Sequence, residues 1–176
     1  MKEFKLIPLR EENVKRFKHD MQEAFQSSAE DVMGPVEGEI LPEKDIDRNL
    51  SEEGVIAYEA IVEGELVGGA IVTIDKETQH NELDFLYVKR GVQSRGIGQA
   101  LWKAIESLYP ETKVWETITP YFDKRNIHFY INKCGFHAVE FFCQSHHDED
   151  STWEAEHPRM DDKFEGAFRF EKNIEL

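Results

Sequence analysis

Val88-Lys89-Arg90-Gly91-Val92-Gln93-Ser94-Arg95-Gly96-Ile97-Gly98 joins two segments of different character. Before it lies Glu82-Leu83-Asp84-Phe85-Leu86-Tyr87-Val88, a run that reads as a strand. After it comes a helix from Ile97 to Tyr109, with Leu101, Ala104, Ile105 and Leu108 on one face and Pro110 as its stop. Glycines at 96 and 98 let the backbone come close to a ligand, and a helix start leaves four amide N–H groups unpaired. With the helix dipole these features make a site suited to an anion such as a pyrophosphate. The spacing excludes two other phosphate loops, G-x-x-x-x-G-K-[ST] and a G-x-G-x-x-G next to the first strand.

The charge pattern supports an anion at this place. The chain of 176 residues has 36 Asp and Glu against 21 Lys and Arg, a formal charge of −15. Yet Phe85 to Ile105 contains no acid while holding Lys89, Arg90, Arg95 and Lys103, and Lys124 to Val139 contains none while holding Lys124, Arg125 and Lys133. An acidic protein that clears two separated segments of carboxylates is arranged to hold an anion between them, although core-facing segments are also poor in acids. The overall balance argues against nucleic-acid and anionic-membrane partners, which need clustered cations.

Working outward, Phe4 to Leu9 reads as a strand and Glu11 to Gln26 as a helix with Val14, Phe17, Met21, Ala24 and Phe25 at helical spacing. Residues 34–42 are a Gly/Pro loop, and Pro42 opens a short helix to Leu50. Residues 55–62 and 66–74 are β-branched runs joined by Glu63-Gly64-Glu65, a hairpin signal. Beyond Pro110 come a strand at 113–119, a helix at 123–133 closed by Gly135, a strand at 136–143, an acidic stretch at 144–165 and a last strand at 166–170. This is one mixed α/β domain over 1–176, in the order β-α-α-β-β-β-α-β-α-β-β. The 40% apolar fraction suits a globular core, no run reaches the length of a membrane span, and Met1-Lys2-Glu3-Phe4 lacks a secretory leader. Two cysteines, Cys134 and Cys143, fit reduced thiols and a cytoplasmic protein.

The loop from Val88 to Gly98 resembles the acetyl-CoA loop of the GNAT superfamily of N-acetyltransferases, Q/R-x-x-G-x-G/A after a strand. Asn126-Ile127-His128-Phe129-Tyr130-Ile131-Asn132-Lys133-Cys134-Gly135-Phe136 is similar to the later helix of that family, which ends in an aromatic–tyrosine pair and Gly-Phe. The resemblance reaches to about residue 143 and leaves 144–165 outside, as an acidic insertion or lid-like segment. It implies a central, mostly antiparallel sheet flanked by helices, with an acetyl-CoA cleft where two strands splay apart. Leu86, Tyr87 and Val88 would pair with the pantetheine arm. Gln93 belongs to the loop motif, the amides across Ser94, Arg95, Gly96, Ile97, Gly98 and Gln99 would hold the pyrophosphate, and Asn126 would reach toward the pantetheine.

Direct attack of an amine on a thioester in a ternary complex needs a base for the amine, a donor for the developing oxyanion and a proton for the leaving thiolate. The resemblance puts the donor among the amides of Leu86 to Val88 and the base on the same strand, on the face of its terminal Val88. Counting back by fours and sixes reaches Asp84 and Glu82, with Glu82 preferred; Glu116 on the next strand is the other candidate. Tyr130 is the candidate acid, but it stands five residues before Gly135 where the family has four, and Asn126 stands nine before where eleven is commoner. A helical irregularity would restore the tyrosine; otherwise it is a packing residue.

Residues 37–53 hold Glu37, Glu39, Glu43, Asp45, Asp47, Glu52 and Glu53 and border the acceptor side in that fold, which suits a primary amine that is cationic, whether small molecule or peptide. The alternative is a non-catalytic acyl-CoA-binding protein of the same fold acting through a partner. Dimers are frequent in the family, so a homodimer is one expectation. No metal site is expected: His146-His147-Asp148-Glu149-Asp150 reads as a solvated loop, and Cys134 as a structural thiol.

Overall fold

Alternating apolar runs separated by short polar turns pair into one seven-stranded sheet, described by a computed structural model for residues 3–93, 95–143, 145–146 and 166–174. The elements are β1 (Phe4–Pro8), α1 (Val14–Met33), α2 (Glu43–Ser51), β2 (Val55–Val62), β3 (Glu65–Thr73), β4 (His80–Val88), α3 (Ile97–Leu108), β5 (Val114–Pro120), α4 (Lys124–His128), β6 (His137–Phe142) and β7 (Ala167–Asn173). A 3₁₀ turn, Glu11–Asn13, leads into α1, and a π-helical turn, Phe129–Cys134, continues α4. The strand order is β1-β2-β3-β4-β5-β7-β6, antiparallel except between β4 and β5. Among the described residues no helix is long and apolar enough to cross a membrane.

The hairpin between β2 and β3 turns on two residues with positive φ, Glu63 at 51° and Gly64 at 82°, a twist that matches the right-handed strands. The two sheet faces carry two cores. On one side α3 and the π turn bury Leu101, Trp102, Ile105 and Phe136 against Ala70, Leu83, Trp115 and Phe170. On the other, α1 and α2 bury Phe17, Met21 and Ile46 against Ile71 and Tyr87. Glycine is required under α1: a Cβ at Gly69 would stand 2.3 Å from Phe17 Cε2, so the ring packs directly on the strand backbone.

Four features depart from the sequence expectations. Helix α1 runs to Met33 instead of ending near Gln26; Ser27 and Ser28 do not break it, because Ala29 packs fully buried on the same helix. The last strand is longer than expected and inserts between β5 and β6. The helix expected over 123–133 changes from α to π at Phe129. And β4 carries a bulge: Ile71 faces Phe85 and Val72 faces Leu83, leaving Asp84 without a partner on β3. Counting back from Val88 therefore fails. Asp84 and Glu82 do share a side, but it is the side of α1 and α2, whereas Val88 packs toward α3. Of the acidic stretch at 144–165, only 145 and 146 lie among the described residues.

Candidate active site

The site begins where the sheet splits. Strands β4 and β5 pair in parallel over three positions only, His80 with Val114, Asn81 with Trp115 and Glu82 with Glu116. Beyond them β5 continues on β7, from Thr117 opposite Phe170 to Pro120 opposite Ala167, and leaves β4 unpaired on that side. At the apex the Thr117 hydroxyl donates to the Leu83 carbonyl at 2.8 Å, standing in for the next ladder bond. On its other edge β4 is bonded to β3, and Lys89 N donates to Val67 O at 2.8 Å. Alternation along an antiparallel pair then makes Phe85 and Tyr87 the bonded positions and turns the N–H and C=O of Leu86 and Val88 into the fork. The Gln93 side-chain amide reaches Val88 O at 3.4 Å.

A cleft of about 480 Å³ fills this fork. Leu86, Tyr87 and Val88 form one wall, and Gln93, Gly96, Ile97, Gly98 and Gln99 form the end. Gly96 caps α3 in the left-handed region (φ 76°, ψ 6°), and the N–H groups of Ile97, Gly98 and Gln99 have no acceptor within the helix. A Cβ at Gly98 would meet Phe129 at 3.4 Å and Val88 at 3.5 Å, so its absence keeps the backbone open to the cleft. Asn126 also lines the cleft. Arg95 is exposed and outside the lining, and Ser94 lies outside the described residues.

Several lining residues were not expected. Ala24, Phe25 and Ser28 come from the part of α1 nearest the cleft, and Asp123, Arg125, His128, Phe129 and Lys133 from α4 and the π turn. Arg125 donates to Gln93 at 3.2 Å and ties the two rims. Asp123 caps α4 by accepting from Asn126 N at 3.0 Å and takes a bond from Ser28 at 3.2 Å. A signal for Asp123 was present. A π turn holds one residue more than an α turn, so the eleventh position before the Gly of an unbroken helix becomes the twelfth here, which is Asp123. The same extra residue brings Tyr130, five before Gly135, to the place that four before would take. Tyr130 is buried among Phe129, Phe136 and Phe170 and does not itself line the cleft. Burial pushes its pKa up, while hydrogen bonding with Thr117 at the apex pulls it down.

The three candidate carboxylates lie on the α1/α2 face of the sheet, beside the fork. Asp84 accepts from the Thr73 hydroxyl at 2.6 Å, and its pKa is pushed up to about 7, first by burial and then by Glu82 and Glu52, against the hydrogen bonds from Thr73 and Asn49. Glu82 is raised as well, by burial and by Glu116, with His80 opposing. Glu116 is held by His80 at 2.9 Å and by Arg169 at 3.6 Å. His80, Glu116 and Glu171 bring ligand atoms within 4.8 Å of one another, but the Arg169 guanidinium already lies against both carboxylates. Burial pushes the Cys134 thiol up to about 12, which keeps it protonated.

A forked sheet with a glycine-opened helix end at the fork defines the class, and the family comparison agrees: residues 15–136 match the Acetyltransferase (GNAT) family, and the chain belongs to it. Protein YrkN of Bacillus subtilis (strain 168) is 42% identical over 167 residues, covering 93% of this chain and 89% of that protein. A GNAT family acetyltransferase from Elizabethkingia anophelis with acetyl-CoA bound has the same fold, at TM-score 0.68 and 14% identity over 97% of this chain and 98% of that one. So does spermidine N-acetyltransferase from Vibrio cholerae in complex with CoA and spermine, at TM-score 0.68 and 9% identity over 97% and 95%.

Proposed function

We propose that this chain is an acetyl-CoA-dependent N-acetyltransferase acting on a primary, cationic amine by direct attack in a ternary complex. The observation that carries the reading is the continuity of the fork with the amino end of α3 in one cleft. An extended pantetheine would add to β4 through the backbone of Leu86 and Val88, and its pyrophosphate would meet the amides of Ile97, Gly98 and Gln99. Acetyl-CoA would bring the activated acetyl group; the residues of the chain bind it, orient it and move protons. The amides pointing into the fork at Leu86 and Val88 are the donors for charge developing on the thioester oxygen.

The acceptor would come from the α1/α2 face, where Glu52, Glu82, Asp84 and Glu116 interact with one another across α2, β4 and β5. Four converging carboxylates favour an ammonium group. Asp84 is the base in this reading, because a pKa near 7 balances ionisation against basicity. Glu116 is committed to His80 and Arg169. Tyr130 would protonate the leaving thiolate through the fork apex.

Calorimetry with acetyl-CoA and with CoA, repeated on Gly96→Trp, tests the cleft, and thiol release against cationic, neutral and anionic amines tests the reaction. Micromolar binding lost in the variant, with turnover of cationic amines, is the expected result. No binding by folded protein sinks the reading. Binding without thiol release from any amine favours the non-catalytic alternative, and turnover restricted to neutral or anionic amines removes the cationic acceptor.

A further inference from the structure

We propose that Thr73 is a positioning residue for acetyl transfer, holding the Asp84 carboxylate ionised and turned toward the acceptor through the hydrogen bond from its hydroxyl. The inference rests on the reading above, in which Asp84 takes the proton of the amine.

The geometry begins with the bulge. Thr73 of β3 stands opposite Glu82, Val72 opposite Leu83 and Ile71 opposite Phe85, so Asp84 is the extra residue of β4 and has no counterpart at its own level. Its side chain turns to the α1/α2 face, where the Thr73 Oγ1 donates to Oδ2 at 2.6 Å. The second donor is Asn49, from α2. Both are neutral. The contrast is Glu59, a fully buried carboxylate on β2, which receives Arg10 and Asn13. There one of the two partners is a charged guanidinium. Neutral donors orient a carboxylate and leave it able to take a proton.

The charged groups around Asp84 make that distinction matter. Glu82 lies on its own strand, Glu52 follows the end of α2, Glu116 stands across from Glu82 on β5, and His80 precedes them on β4. Arg169, at 3.6 Å from Glu116, and His80 engage that acid, while burial, Glu82 and Glu52 disfavour another negative charge at Asp84, so a donor is needed to keep it ionised near neutral pH. A hydroxyl suits a group that cycles between two states: it donates to the carboxylate and, once the carboxyl is protonated, can rotate to accept from it. As a β-branched residue on a strand, Thr73 holds that hydroxyl with little rotamer freedom.

The test compares Thr73→Val with Thr73→Ser. Valine keeps the shape and loses the donor, so the pKa of Asp84 rises and the acidic limb of kcat/KM against pH moves up by about one unit. At pH 7 the rate falls by roughly fivefold, approaching about tenfold at lower pH, and it returns close to the wild-type value by about pH 9. Serine restores the limb, and the acetyl-CoA Kd is unchanged in both, since Thr73 is not part of the cleft wall. A limb that stays in place, or a loss that is equal in both variants at every pH, overturns the proposal. NMR titration of the Asp84 carboxyl carbon, assigned with Asp84→Asn, reads the same shift without turnover. No upward shift in Thr73→Val refutes the role of Thr73 itself. An upward shift with an unmoved rate limb refutes instead the assignment of Asp84 as base, and the positioning role falls with it.

Discussion

Replacing Gly98 by alanine should separate binding from stability, with opposite signs. The residue is second in α3 and lines the cleft. The nearest atoms to an added Cβ would be those of the Phe129 ring at 3.4 Å and Val88 Cγ2 at 3.5 Å, side-chain contacts at the tight end of the ordinary range, and its φ is not positive. The fold therefore accepts the methyl, and the helix gains up to about 1 kcal/mol from removing a glycine. For a chain of this length that raises Tm by roughly 2–4 °C. In the proposed reading a phosphate oxygen would come to within about 2.9 Å of an amide N–H of this first turn, and the added methyl would crowd its approach. Losing one hydrogen bond to a charged group costs about 1.5–3 kcal/mol, so Kd for acetyl-CoA should weaken about 10- to 150-fold. Gly96→Ala is the contrast: at φ 76° a side chain costs about 1–2 kcal/mol, and Tm should fall. Calorimetry and thermal unfolding of the same samples give both numbers. If Gly98→Ala and Gly98→Val both bind acetyl-CoA within twofold of wild type, the amides of the first turn do not hold the cofactor.

Tyr130→Phe should lower kcat by roughly 10²- to 10⁴-fold while leaving the acetyl-CoA Kd unchanged, because the hydroxyl and not the ring would act as the acid; turnover unaffected across the pH range would make Tyr130 a packing residue. Asp84→Asn should abolish turnover and raise Tm at pH 8 but not at pH 4. With its pKa raised from 3.8 to about 7 in the fold, Asp84 is protonated in both states below 3.8, becomes progressively unfavourable to the folded state as pH rises, and carries its full cost above 7. Thermal unfolding at the two pH values checks the sign, and an equal change at both would show that the burial of Asp84 is not what perturbs it.

Much of the architecture was legible because local chemistry decided it. The Glu63-Gly64 turn, the Pro110 stop and the αL glycine at 135 each act through their own backbone, and the strands and helices they bound were expected close to where they stand. The glycine loop at the end of the cleft was legible for the same reason: a strand, two glycines and a helix start are contiguous in the chain. What was hidden depends on partners distant in sequence. Nothing in Ala24, Phe25 or Ser28 announces a cleft wall, since they reach it only because α1 packs across β3 and β4. Nor does β7 announce that it will separate β5 from β6.

The catalytic candidates were named from the sequence, but where their side chains point was less legible, for a reason that is the same on both sides of the fork. Each side contains one residue more than a regular element would hold. On β4 the added residue is Asp84, and it reverses the parity of everything between it and His80, so a count from Val88 assigns Glu82 and Asp84 to the wrong face. On the helix the added residue lies between Tyr130 and Gly135, and the π turn absorbs it, so a count from Gly135 reaches Ile131, which is exposed, instead of Tyr130. Counting works along an element only while its period holds. A bulge is decided by the register with β3 and a π turn by the packing of Cys134 and Phe136 beneath it, neither of which is written in the segment that bears it. Both irregularities flank the place where the thioester and the amine would meet, and bulges and π turns collect at working sites because each re-aims one side chain without moving the rest of the element. At the fork the two irregularities aim a carboxylate toward α2 and a phenol toward the apex, on opposite faces of one sheet, so that in the proposed reading the group taking the amine's proton and the group giving one to the thiolate would act from separate sides.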